Sequence, residues 1–87
     1  MATANFNLEI LTPEKTVYSG HAVSLVAPGE SGYLGILANH APLITKLKEG
    51  KVVLKKETEE TLIFHSKGKG FLEVTKNKVL LLADAVE

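Results

Sequence analysis

Apolar and polar residues alternate with a period of two over most of the chain, in short stretches separated by turn-forming residues. Phe6, Leu8 and Ile10 fall on one face of an extended segment and Asn7 and Glu9 on the other, the pattern of a half-buried strand. Similar stretches recur at 16–19, 21–27, 33–37, 43–47, 51–57, 61–66, 71–75 and 78–83. Between them lie Thr12-Pro13-Glu14, Pro28-Gly29, Glu30-Ser31-Gly32, residues 38–42, Glu49-Gly50, Thr58-Glu59-Glu60 and Lys76-Asn77. Proline fixes φ, and Asn77 is suited to a positive-φ turn position. About nine short strands with turn signals between them, and no long window of helical period, predict an all-β flattened sandwich or barrel. Gly20 is expected to end its strand, and Lys67-Gly68-Lys69-Gly70 to be a flexible connection. The tail at 83–87 could begin a helix but is too short to hold one alone. Neither a repeat nor a domain boundary interrupts the pattern, so residues 1–87 are expected to form one domain.

One stretch breaks the monotony. Residues 32–43 crowd Gly32, Gly35, His40 and Pro42 into a mostly apolar run. Such a run pins a bend between buried strands and leaves something exposed there. Glycine inside a strand often marks a bulge or a close backbone approach, which is expected at Gly35. Tyr33, beside a glycine loop, reads either as core or as a tip residue, since an aromatic with one polar end suits an interface.

Composition narrows the chemistry. Forty-five per cent hydrophobic and 23% charged residues are ordinary for a globular domain. The chain has no cysteine, hence neither a disulfide frame nor a thiolate metal site. Its basic residues are all lysine and are matched by as many carboxylates, for a formal net charge of zero. Nucleic-acid binding, which needs a basic surplus and usually arginine, is not expected. The lysines at 46, 48, 51, 55 and 56 are interleaved with Glu49, Glu57, Glu59 and Glu60 and read as a solvated strand edge. No apolar run approaches the roughly 20 residues that cross a bilayer. The N-terminus lacks the basic-then-apolar order of a secretory signal, so a soluble protein on the cytosolic side is expected.

Catalytic arrangements fare poorly. His21, His40 and His65 have no metal-ligand spacing. Ser31 precedes Gly32 outside any nucleophile-elbow pattern. The glycine loops at 29–32 and 67–70 lack the Gly-Lys-Ser/Thr ending that cradles phosphate before a helix. His40, in a proline-containing turn, reads either as a ring bonded to a nearby carbonyl or as an exposed partner contact.

With these residues in view, the pattern Gly32-x-Leu34-Gly35-Ile36-Leu37-x-Asn39-His40-Ala41-Pro42-Leu43 resembles the hallmark of the epsilon subunit of the F-type ATP synthase. Leu11-Thr12-Pro13-Glu14 followed by Tyr18-Ser19-Gly20 is similar to that family's opening, and Leu47-x-x-Gly50 to the turn after the hallmark. Gly70-Phe71-Leu72-Glu73-Val74 and Val79-Leu80-Leu81-Leu82-Ala83-Asp84 are similar to its closing hairpin. The resemblance covers nearly the whole chain.

The resemblance implies an N-terminal sandwich of two five-stranded sheets. It implies a non-catalytic rotor subunit without a cofactor, bound to the gamma subunit and resting on the polar loops of the c-ring. The implied c-ring contact comprises Ser31, Gly32, Tyr33 and His40, and the implied gamma contact Thr12, Val17, His40 and Leu43. Tyr33 stands where many relatives carry an acidic or polar side chain, so its ring is expected to pack with its hydroxyl hydrogen-bonded. The implied location is peripheral, on the cytoplasmic face of the bacterial inner membrane, or the stromal face of the thylakoid in a plastid. The family continues into a C-terminal helical hairpin that can bind ATP and inhibit hydrolysis. This chain stops at Glu87, so neither ATP binding nor hairpin inhibition is expected. The alternatives are a stand-alone β-domain that binds a peptide or metabolite in a pocket, and an enzyme with a concave site joining His40 or His21 to a carboxylate.

Overall fold

A computed structural model describes residues 4–87 of the chain. Eight strands follow one another: β1 (Phe6–Leu11), β2 (Thr16–Ala22), β3 (Ser24–Gly29), β4 (Gly32–Leu37), β5 (Leu43–Leu47), β6 (Gly50–Lys55), β7 (Thr61–Thr75) and β8 (Lys78–Val86). There is no helix among the described residues. The fold is all-β, and the period-two pattern explains why: each strand has one apolar parity to bury.

The strands hydrogen-bond in the order β2-β1-β8-β7-β5-β3-β4, and β6 pairs with both β3 and β7. All ladders are antiparallel except β1 with β8, where Leu8 lies beside Val79 and Ile10 beside Leu81. The path curls because β7 and β8 bend together. Residues 61–66 of β7 pair with β6, and residues 70–74 pair with β5. The β7–β8 register shifts between Lys67 and Gly70. Read through these bends, the ladders form two halves. One holds β2, β1, the first part of β8, the second part of β7, and β5. The other holds β4, β3, β6, the first part of β7, and the end of β8. Hydrogen bonding is continuous between them.

The inward parities meet in one core. Phe6, Leu8, Ile10, Leu72, Val74, Val79 and Leu81 come from one half, and Leu25, Ala27, Ile36, Val52 and Leu54 from the other. Each fully buried Leu, Ile or Phe contributes about 1.5–3 kcal/mol relative to exposure. Ser66 is the buried polar side chain of this core, its hydroxyl facing the carbonyls of Lys48 and Gly50 at the β5–β6 corner.

Several local expectations give way to long-range pairing. Lys67–Gly70 is not a flexible connection but a bulge inside β7. Gly68 adopts φ 73° there. The Gly68 N–H donates to Glu49 Oε2 at 2.7 Å and the Lys69 N–H to Asp84 Oδ2 at 2.9 Å, so two carboxylates take up donors that the ladder releases. The tail does not turn helical. It continues β8 to Val86, which lies opposite Ser66, and Glu87 exchanges two backbone hydrogen bonds with His65. A waiting partner strand outweighs weak local helix preference. The stretch 21–27 is two strands: His21 and Ala22 complete β2 through Gly20, and the chain turns at Val23, whose N–H donates to the Lys55 carbonyl. Asn77 has φ 56°, as its turn position requires.

Gly35 is neither bulged nor closely approached. It sits in register opposite Val26, and a Cβ there would meet nothing within 4 Å. Gly35→Val is therefore expected to leave the thermal midpoint unchanged or to raise it slightly, since valine suits a strand and restricts the unfolded chain. A drop of more than 5 °C would contradict the open geometry.

Candidate interaction surface

The Glu30–Ser31 turn joins β3 to β4, with Gly29 opposite Gly32. Ser31, Gly32 and Tyr33 are all exposed at this tip. The tip is fixed from below: the Glu30 N–H donates to the Lys46 carbonyl at 3.0 Å, and the Lys48 N–H to the Pro28 carbonyl at 2.8 Å. Tyr33 lies opposite Pro28, and its hydroxyl lies within reach of Gly50, where an added Cβ would be 3.2 Å away. The ring thus lies along the sheet and stays 62% exposed. Among the described hydrogen bonds the Tyr33 hydroxyl has none.

His40 is half-buried in the loop after β4, next to Asn39 at φ 64°. Its Nδ1 lies 2.7 Å from the Ala41 carbonyl oxygen. That bond puts a proton on Nδ1, since a carbonyl oxygen can only accept, and leaves Nε2 facing away from it. The bonded-ring reading of His40 accordingly describes this state. Leu43 opens β5, lies opposite Val74 and packs on the core. Thr12 is engaged locally: its Oγ1 accepts from the Lys15 and Glu14 N–H groups and so shapes the β1–β2 turn. Val17 packs against the core from β2. The seven positions implied by the resemblance are therefore of two kinds. Ser31, Gly32 and Tyr33 form one exposed tip, whereas Thr12, Val17, His40 and Leu43 are largely occupied in holding backbone or core.

The open apolar surface lies elsewhere. Leu11, Pro13, Phe71 and Leu82 line a shallow hollow whose rim includes Thr12, Lys69 and Asp84. Phe71 is 50% exposed and Leu82 40%. A second hollow joins Phe71 and Gly70 to Glu30 and Lys46, so the β3–β4 tip and the Thr12 turn border the same end of the molecule. On the outer face of the other half, Val26, Val53 and Ile63 form a row across β3, β6 and β7, flanked by Tyr33 and Leu37 on β4. Phe71, Leu82, Val26 and Ile63 were not singled out by sequence reasoning. The signal was present: strands such as 78–83 are apolar in both parities, the mark of a sheet covered on both faces.

For enzymatic chemistry the described residues offer little convergence, and no group of three or more His, Cys, Asp or Glu is placed to hold a metal ion among them. No helix among them is long and apolar enough to cross a membrane.

Comparison with known proteins places these surfaces in context. Residues 5–87 match the family model described as "ATP synthase, Delta/Epsilon chain, beta-sandwich domain". The chain is 47% identical over 86 residues to the ATP synthase epsilon chain of Moorella thermoacetica, covering 97% of this chain and 62% of that protein. It is 43% identical over 81 residues to the epsilon chain of Chlorobium limicola, covering 93% of this chain and 91% of that protein. The chain thus spans about three fifths of the length of the Moorella relative. Among solved structures, a chain of the Euglena gracilis mitochondrial ATP synthase (OSCP/F1/c-ring) superposes with a TM-score of 0.90 at 16% identity, over all of this chain and 55% of that one. A chain of the Tetrahymena thermophila mitochondrial ATP synthase central stalk and c-ring gives a TM-score of 0.81 at 14% identity, over all of this chain and 69% of that one. At these identities the structures establish the shared fold.

Proposed function

Since the chain belongs to the ATP synthase delta/epsilon β-sandwich family, we propose that it is a non-catalytic part of the rotor, joining the gamma subunit to the c-ring. The observation that carries this reading is the family match over residues 5–87, joined to apolar surface exposed on both halves of a small sandwich. A domain with Phe71, Leu82, Val26 and Ile63 in the open is built to be covered. A contact with gamma of about 800 Å² or more is expected on such a surface. The solved relatives come from assemblies named for a c-ring, one of them also for a central stalk. In such an assembly this domain lies at the membrane surface without entering it, on the cytoplasmic side in a bacterium.

In this reading the exposed tip Ser31-Gly32-Tyr33 meets the polar loops of the c-ring. Thr12, Val17, His40 and Leu43 set the shape of the gamma-facing side, with Leu11, Phe71 and Leu82 supplying its apolar area. His40 keeps Nε2 available for a hydrogen bond to either partner. Bound gamma and c-ring would be held in fixed relation by ladders that tie the tip, through Lys46 and Lys48, to the core strands.

Tyr33→Asp tests the tip. Tyr33 is largely exposed, so the variant is expected to melt within a few degrees of the wild type, while attachment of the assembled stalk to c-ring-containing membranes weakens several-fold. A loss of folding equal to the loss of attachment would make Tyr33 a core residue and remove it from the contact.

A further inference from the structure

The hydrogen-bonded path ends at β4, which pairs among the described residues with β3 alone. The direction of its unused backbone groups follows from its neighbour. The Pro28 carbonyl and the Glu30 N–H point away from β4, toward residues 48 and 46. Because backbone groups alternate sides along a strand, Leu25, Ala27 and Gly29 face β4, where they lie opposite Ile36, Leu34 and Gly32. The N–H and C=O groups of Tyr33, Gly35 and Leu37 are therefore the ones that line the free edge.

This edge lacks the usual protections. Residues 32–37 include no charge and no proline, and the β3–β4 register runs without a bulge. The opposite edge, β2, lies on a ladder broken by a register shift between Ile10 and Leu11 and carries His21. On β4, Tyr33 is 62% and Leu37 64% exposed on the outer face, with bare Gly35 between them. Nothing lies within 4 Å of where a Gly35 side chain would start.

We propose that the free edge of β4 is a strand-addition site for an extended segment of another protein that carries a large aromatic residue opposite Gly35. The aromatic side chain would lie across the glycine, between Tyr33 and Leu37, and reach Val26 one strand further on, as aromatics cover glycines in paired strands. A second copy of this chain fits less well. A two-fold pairing centred on β4 sets Gly35 against Gly35 and leaves a gap. A six-residue edge pair also buries well below the roughly 800 Å² per partner of a stable dimer. The inference stands on the edge geometry and does not require the rotor reading.

The probe is a synthetic peptide of alternating threonine and valine with a central phenylalanine, added in excess to the isotopically labelled full chain. Amide exchange at Tyr33, Gly35 and Leu37 is expected to slow about tenfold or more, as for amides entering a ladder. The same peptide with alternate backbone nitrogens methylated should have no effect. Gly35→Pro, which removes one outward N–H at an edge position that tolerates proline, should abolish the response while leaving the other amide signals dispersed. Equal effects of the methylated peptide, protection on the Phe71–Leu82 face instead, or no protection at any concentration would overturn the proposal. Protection that appears without peptide and rises with protein concentration would assign the edge to a second copy and overturn the chosen occupant.

Discussion

Gly70→Val is expected to be among the most destabilising single substitutions in the domain. Gly70 is buried at the bend of β7, opposite Leu47 on one side and Ala83 on the other. A Cβ at this position would sit 2.6 Å from the Leu82 carbonyl oxygen, 3.4 Å from Leu47 Cβ and 3.5 Å from Ala83 Cα. The first of these is a backbone atom of a strand paired on both sides, so it cannot swing away as a side-chain end could. Relief requires separating β7 from β8 at the place where the two halves of the sandwich join. Overpacking of this kind costs about 3 kcal/mol or more. A domain of this length has about 4–13 kcal/mol in total. A fall in the thermal midpoint of at least about 15 °C, followed by circular dichroism, is the expected result. A variant melting within 5 °C of the wild type would mean that the bend is not the tight junction described.

Leu8→Ala is expected to cost about 3 kcal/mol, the middle of the range for a buried leucine in a close-packed core. Leu8 is wholly buried, with Val79 beside it on β8 and Gly20 beside it on β2. β8 is hydrogen-bonded on both sides, between β1 and β7, and cannot close over the cavity. The midpoint should fall by about 12–20 °C. Leu82→Ala, on the outer parity of the strand that also carries buried Leu81, should change it by only a few degrees. Similar losses for both variants would show that Leu82 belongs to the core and not to a surface left for a partner.

This contrast between Leu8 and Leu82 also marks how far the sequence could be read. Strand parity at Phe6, Leu8 and Ile10, and the turn at Asn77, depend on near neighbours and were legible from the residues alone. The course of residues 67–70 was not. Two glycines and two lysines read locally as a loose connection, and only the distant carboxylates Glu49 and Asp84 make a held bulge of them. The tail at 83–87 is legible locally only as too short to hold a helix alone; that it continues β8 depends on its distant partners, Ser66 and the neighbours of Ser66 in β7. Glycine in a strand often marks a bulge or a close backbone approach, and Gly35 is neither. An edge position with open space is a second use of the same residue, and sequence does not separate the two.

The candidate contact was legible in part. The resemblance pointed to Ser31, Gly32 and Tyr33, which the fold leaves exposed at the β3–β4 tip. It did not reveal that Thr12 Oγ1 and the His40 ring are engaged with nearby backbone, nor that Phe71 and Leu82 supply the open apolar area. Those facts depend on which parity of each strand ends up outside, which is decided by the curl of the whole sheet.

The most direct test of the rotor reading is co-purification of this chain with the gamma subunit, comparing the wild type with Phe71→Asp and with a variant altered at Thr12 and Val17. The account predicts a stable wild-type complex, its loss in Phe71→Asp with the fold retained, and weakening in the Thr12/Val17 variant. Failure of the wild-type chain to hold gamma under conditions where it is folded would contradict it.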